Sequence, residues 1–153
     1  MPKLEYFVPV DAELQTIWDV LLDRIEHPDR YLAGVEAFSF PESEADYAVR
    51  EVVIEGAPLR ERITIDERTG EVRYQLLEHP FFTGEVYNEL IPPADDDLKA
   101  KPLVRFRMDW EPLNDEAKAA EAEMLPALEN SLKDAVHYVR DLAEHLQKQA
   151  ASK

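Results

Sequence analysis

The chain has 153 residues, no cysteine, and 33 acidic against 17 basic residues, for a net charge of −16. That length suits a single domain over residues 1–149 with a core buried by its own side chains, and a disordered tail is expected at 150–153. The missing cysteines exclude disulfides and thiolate metal sites, and the charge argues against nucleic-acid binding, which requires phosphates to be neutralised.

The N-terminal stretch MPKLEYFVPVDAELQTIW has no apolar run long enough for a signal peptide or a membrane span, so a cytoplasmic protein is expected. Residues 4–10 (LEYFVPV) read as a strand. Asp11 is placed to cap a helix whose apolar stripe is Leu14, Ile17, Trp18, Leu21 and Ile25, and His27-Pro28 ends it. A short helical turn is expected over 28–33. From Gly34 onward the apolar period becomes two, which predicts strands at 35–41, 46–54, 59–66, 71–79, 84–91 and 103–111.

The glycines support this division, since Gly34, Gly56, Gly70 and Gly84 fall at or beside the predicted turns. Glu55-Gly56-Ala57-Pro58 and Arg68-Thr69-Gly70-Glu71 read as tight hairpins, and the segment from Pro92 to Asp97 as an exposed loop closed by Pro102. In the last strand Val104, Phe106, Met108 and Trp110 share one face, and Arg105, Arg107 and Asp109 the other. Residues 114–149 then read as one amphipathic helix, with Leu125, Leu128, Leu132, Val136, Val139, Leu142 and Leu146 on its apolar side. A helix of roughly 36 residues is about 54 Å long and needs a sheet wrapped around it. Pro126 inside it predicts either a kink or a break into two helices.

The order strand, helix, short helix, six strands, long helix is the connectivity of a helix-grip fold. This is an α+β architecture in which a curved seven-stranded antiparallel sheet wraps around a long C-terminal helix, with two short helices after the first strand. On the segments VPVDAELQTIWDVLLDRIEHP, VREVVIEG, RERITID, and VYNELIPP followed by LVRFRMDWEP, the chain resembles the SRPBCC superfamily. That superfamily includes START-like lipid-transfer domains, pollen allergens and polyketide cyclases. Within it the chain most resembles the small AtaL-like family. The resemblance implies an internal cavity for a hydrophobic ligand. The glycine-rich loop of the plant allergen branch is missing, so that branch's nucleotide-like and hormone roles are not carried over.

Catalytic and metal motifs are absent from the sequence. His27, His79, His137 and His145 form no metal-like spacing. His27 and His79 precede prolines, where turn-capping roles are common, while His137 and His145 read as a solvated helix face. The Asp95-Asp96-Asp97 run lacks the alternation, glycine and closing glutamate of a calcium loop and reads as a solvated tip. No metal or cofactor is expected. Arg60, Arg62, Arg68 and Arg73 are interrupted by acids and read as an ordinary sheet surface.

What remains is the inner lining. Shared strand phase places Tyr74, Leu76, Phe106, Met108 and Trp110 around a cavity, with Ile63 beside them and Met124, Leu128 and Ser131 facing them from the helix. The apolar ones among them read first as ordinary core packing, and one wall can serve both roles. Glu61 shares phase with Leu59, Ile63 and Ile65, so it should point inward and need a partner. Arg50 is the candidate. A two- or four-residue hairpin around Gly56-Ala57 pairs Val52 with Glu61 and leaves Arg50 diagonal to it, whereas a three-residue loop sends Arg50 outward. Asn88 joins this polar end if its strand keeps phase. The expected function is binding of a small hydrophobic or amphipathic molecule, for carriage, sequestration or sensing. One alternative is a cyclase-, aromatase- or dehydratase-like enzyme using Glu61 and Tyr74 as acid–base groups. Another is an acidic protein-interaction module, and a coiled-coil dimer through the long helix ranks last. Monomer and homodimer both stay open.

Overall fold

The computed structural model describes residues 3–94 and 100–151, so the acidic run at 95–97 lies outside the described residues. The elements follow as β1 (Lys3–Pro9), α1 (Leu14–Glu26), α2 (Pro28–Tyr31), β2 (Val35–Ser43), β3 (Tyr47–Ile54), β4 (Ala57–Asp66), β5 (Glu71–Glu78), β6 (Phe82–Ile91), β7 (Leu103–Pro112) and α3 (Asp115–Ala151). The strands form one antiparallel seven-stranded sheet in the order β1-β7-β6-β5-β4-β3-β2. Each neighbour but one follows in sequence, so hairpins build the sheet. The exception is β1, which closes on β7 from the far end of the chain. This is the helix-grip arrangement expected above. Among the described residues no helix is long and apolar enough to cross a membrane.

The period-two strands work as expected. On β7, Val104, Phe106 and Met108 are buried and Asp109 is exposed. The core joins this face to Ile17, Leu21 and Ile25 of α1 and to Leu132, Val136, Val139 and Ala143 of α3. Fully burying each large side chain of this kind is worth about 1.5–3 kcal/mol, before discounting apolar surface the unfolded chain already hides.

Several details differ from the sequence reading. Helix α1 starts at Leu14, with Glu13 rather than Asp11 in the cap position and no side-chain cap. The long helix supplies the missing partners instead. The Asp11 N–H donates to the Glu144 carboxylate at 2.8 Å, and the Glu13 N–H to Gln147 Oε1 at 2.9 Å. Leu14, the first residue of the helix, is 43% exposed and borders a shallow surface groove with Trp18 and Leu90 rather than joining the core. Helix α3 runs unbroken through Pro126 and on through Ala150 and Ala151, positions expected in the tail. It begins on Asn114, whose Oδ1 accepts the Ala117 N–H at 2.8 Å.

Gly84 lies inside β6 rather than in a turn. It pairs with Trp110 at φ +122°, where a Cβ would collide with the Asp109 carbonyl oxygen. Only glycine lets β6 pass this close to β7. His137 is not on a solvated face either: its Nε2 lies 2.8 Å from the Tyr6 hydroxyl, and the two rings meet edge to face at 5.2 Å.

Candidate functional site

Between the concave face of the sheet and the first half of α3 lies a cavity of about 270 Å³. Its apolar wall includes Leu76, Phe106, Met108 and Trp110 from the sheet, and Leu128 and Leu132 from the helix. Tyr74, Arg24, Arg50, Glu61, His79 and Ser131 supply the polar groups. Of the expected site residues, Arg50, Glu61, Tyr74, Leu76, Phe106, Met108, Trp110 and Leu128 come together here. Ile63 does not. It is wholly buried between Ala48 and Tyr74 on the neighbouring strands and belongs to the dry core. Met124 lies a helical turn before Leu128, half-buried and outside the lining. Asn88 is buried behind the wall and reaches the site only through Arg24.

The β3–β4 hairpin turns on two residues. Glu55 at φ +49° and Gly56 at φ +80° connect Ile54 to its partner Ala57, as a tight hairpin requires. This places Arg50 directly opposite Glu61 and pairs Val52 with Leu59, so the expected diagonal pairing is corrected by two residues. The inward phase of Arg50 is unaffected. Its Nη2 donates to Glu61 Oε1 at 2.9 Å, with the two side chains only 4% and 14% exposed, so the pair is largely desolvated. Nη1 of Arg50 donates to the carbonyls of Arg24 and Ile25, at 3.2 and 3.0 Å. One guanidinium therefore closes the carbonyl end of α1 and fixes a carboxylate on the sheet.

No motif in the sequence singles out Arg24, yet it is central to the site. It follows Leu21 by three residues and Ile17 by seven, so helical spacing already puts it on the buried face. Its Nε donates to Asn88 Oδ1 at 3.3 Å, and its guanidinium lies over the rings of Phe106 (5.1 Å) and Tyr31 (5.9 Å). Burial pulls its pKa below the ordinary arginine value. Nη1 of Arg24, the Tyr74 hydroxyl and Nε1 of Trp110 are all buried with no hydrogen-bond partner among the described residues. Burial raises the Tyr74 pKa, opposed by the charges of Arg24 and Arg50, so the phenol keeps its proton at neutral pH.

His79 performs the turn-capping role expected of it and also faces the cavity, which the sequence reading missed. Its Nδ1 accepts the backbone N–H groups of Phe81 and Phe82, both at 3.0 Å. Two donors converging on Nδ1 require a lone pair there, so the ring proton sits on Nε2. Burial lowers the His79 pKa, partly offset by Glu61, and the ring packs 5.1 Å from Trp110. Among the described residues no group of three or more potential ligands is arranged to hold a metal ion.

The family model of AtaL, acetylaranotin biosynthesis cluster protein L, matches residues 12–145. The chain belongs to the AtaL family. Among proteins of curated function none matches it significantly. Among solved structures it is similar to the Zhui aromatase/cyclase from Streptomyces sp. R1128, at 20% identity and a TM-score of 0.70, covering 94% of this chain and 93% of that one. It is also similar to the di-domain ARO/CYC StfQ of the steffimycin biosynthetic pathway, at 10% identity and a TM-score of 0.73, spanning 99% of this chain and 52% of that one. A START superfamily protein from Mycobacterium smegmatis matches at 14% identity and a TM-score of 0.59, covering 97% and 98%. At these identities the likeness shows a shared fold, the START-like helix-grip fold.

Proposed function

We propose that this AtaL-family protein binds a small hydrophobic or amphipathic molecule inside the cavity under α3. The observation that carries this reading is the lining: an apolar wall of aromatic and aliphatic side chains interrupted by a few fixed polar groups, the composition small-molecule sites share. Carriage, sequestration or sensing would each use such a site without chemistry. Native mass spectrometry of the protein purified from its own host tests it. The expected result is a stoichiometric small molecule that leaves on denaturation. Protein that emerges bare and takes up none of a panel of amphipathic aromatics would refute it.

A second reading, acid–base chemistry on a bound substrate, draws on the similar structures named as aromatase/cyclases. Tyr74, which keeps its proton, suits the role of proton donor. Glu61 suits the role of base poorly, because Arg50 already holds its carboxylate. A change in mass of an added substrate, lost in Tyr74→Phe, would select this reading. The arginines noted in the sequence give little support to a nucleic-acid role: Arg60 and Arg73 pair with Glu51 and Glu85, and Arg62 lies over Tyr47.

A further inference from the structure

The polar groups of the cavity do not balance. Two guanidinium groups, Arg24 and Arg50, meet one lining carboxylate, Glu61, and Arg50 has claimed it at 2.9 Å. The electrostatic neighbours of Arg24 are Tyr74, Arg50, Glu61 and Tyr31, which leaves one positive charge uncompensated. Hydrogen bonding is lopsided in the same sense. Among the described residues, the buried atoms without partners at or beside the cavity include donors at Arg24 Nη1, Arg50 Nε, Asn88 Nδ2 and Trp110 Nε1, and the Tyr74 hydroxyl, which lies close to the Arg24 guanidinium. The tautomer fixed at His79 adds another N–H, on Nε2. A buried donor without a partner is destabilising, and a charged one more so. Such a cost is removed when an acceptor arrives.

We infer that the ligand of this cavity carries an anionic oxygen group, a carboxylate, phenolate or enolate, which lodges against Arg24 and Tyr74. This deepens the ligand-binding reading and rests on it. Trp110 and His79 lie farther along the wall and suit a second, neutral oxygen acceptor on the same molecule. The net charge of −16 repels anions from the protein as a whole, so any preference for an anionic ligand must come from a local site such as this one.

Calorimetric titration at pH 7 with two probes of one shape, 2-naphthoate and 2-naphthamide, tests the inference. The carboxylate is expected to bind at least ~10-fold more tightly than the amide, equivalent to about 1.4 kcal/mol. In Arg24→Met that preference should vanish. Tyr74→Phe, which keeps the charge and the ring, should reduce carboxylate affinity by a smaller factor and serves if Arg24→Met does not fold. Equal binding of the two probes to the unaltered protein would overturn the inference while leaving the cavity reading intact. A preference that survives in both variants would also overturn it. Failure of both probes to bind would overturn the inference and the cavity reading together.

Discussion

The two halves of α3 are made of similar residues and do different work. From Leu132 to Ala143 the helix buries Leu132, Val136, Val139 and Ala143 against the sheet and α1, and only its first turn, at Leu132 and Ala135, still borders the cavity. From Asp115 to Ser131, only Ala117 is fully buried among the described residues, and Leu128 and Ser131 face the cavity instead of closing on the sheet. One continuous helix thus carries a stability segment and a binding segment in series. The contrast teaches that the cavity residues the helix itself contributes before Leu132 can be altered with little loss of fold.

The severest way to break the comparison is to end the chain after Leu125. This removes all four buried residues of the second half, at about 1.5–3 kcal/mol for each large one, against a typical total stability of about 5–15 kcal/mol. The truncated protein should show no cooperative thermal unfolding. A clean melting transition would mean that the sheet and α1 suffice.

Arg50→Met probes an exception, a cavity residue that also supports the fold. It strands the Glu61 carboxylate and uncovers two carbonyls of α1. A loss of about 3–5 kcal/mol by urea denaturation is expected, in the range for breaking a buried pair from one side. A loss below about 1 kcal/mol would show the pair to be well solvated.

A matched pair sharpens the contrast directly. Val139→Ala in the dry half should cost about 2 kcal/mol, from two lost methyl groups and the space they leave. Leu128→Ala in the roof should cost less than about 1 kcal/mol, because the residue already borders open space, yet it should change probe affinity. Equal costs in chemical denaturation would erase the distinction between the halves.

The smallest expected effect concerns pH. The folded protein holds His79 below its ordinary value of 6.5, so the unfolded chain takes up that proton first as pH falls. Stability from this source is complete above 6.5 and declines below it, levelling off once pH passes the folded value. His79→Gln, which can still accept from the two amides, should flatten that decline in a series of melting temperatures. An unchanged slope would mean that His79 does not titrate differently on folding.

Much of this was legible from the pattern alone, because a strand's inward face is fixed by parity. Tyr74, Leu76, Phe106, Met108 and Trp110 needed only the correct phase to reach the wall. Parity also put Arg50 inward but could not say which residue it met. Loops of two and four residues preserve the face while shifting the partner, and the Glu55–Gly56 turn decides between registers. Arg24 was hidden for another reason. A charged residue on an amphipathic helix reads as solvated unless its azimuth is checked, and here the helix face turns it inward. Met124 shows the opposite: helical spacing keeps it on the face of Leu128, but the lining begins only a turn later, at Leu128. The sequence offers Gly84 as turn punctuation, but its use is steric, a place where two strands press together.

Seen mechanically, α3 is a beam resting on two abutments. Ala117 seats one end, next to the Asn114 cap, and the packed segment from Leu132 to Ala143 seats the other. The clear span between them is about 21 Å at 1.5 Å per residue, and Pro126, which cannot donate a backbone bond, stands within it. A beam carried at two points yields most between them. The cavity lies where that span meets its second bearing, with Leu128 and Ser131 on the open side and Leu132 and Ala135 on the seated side, so a guest would press on the helix where it passes from unsupported to packed.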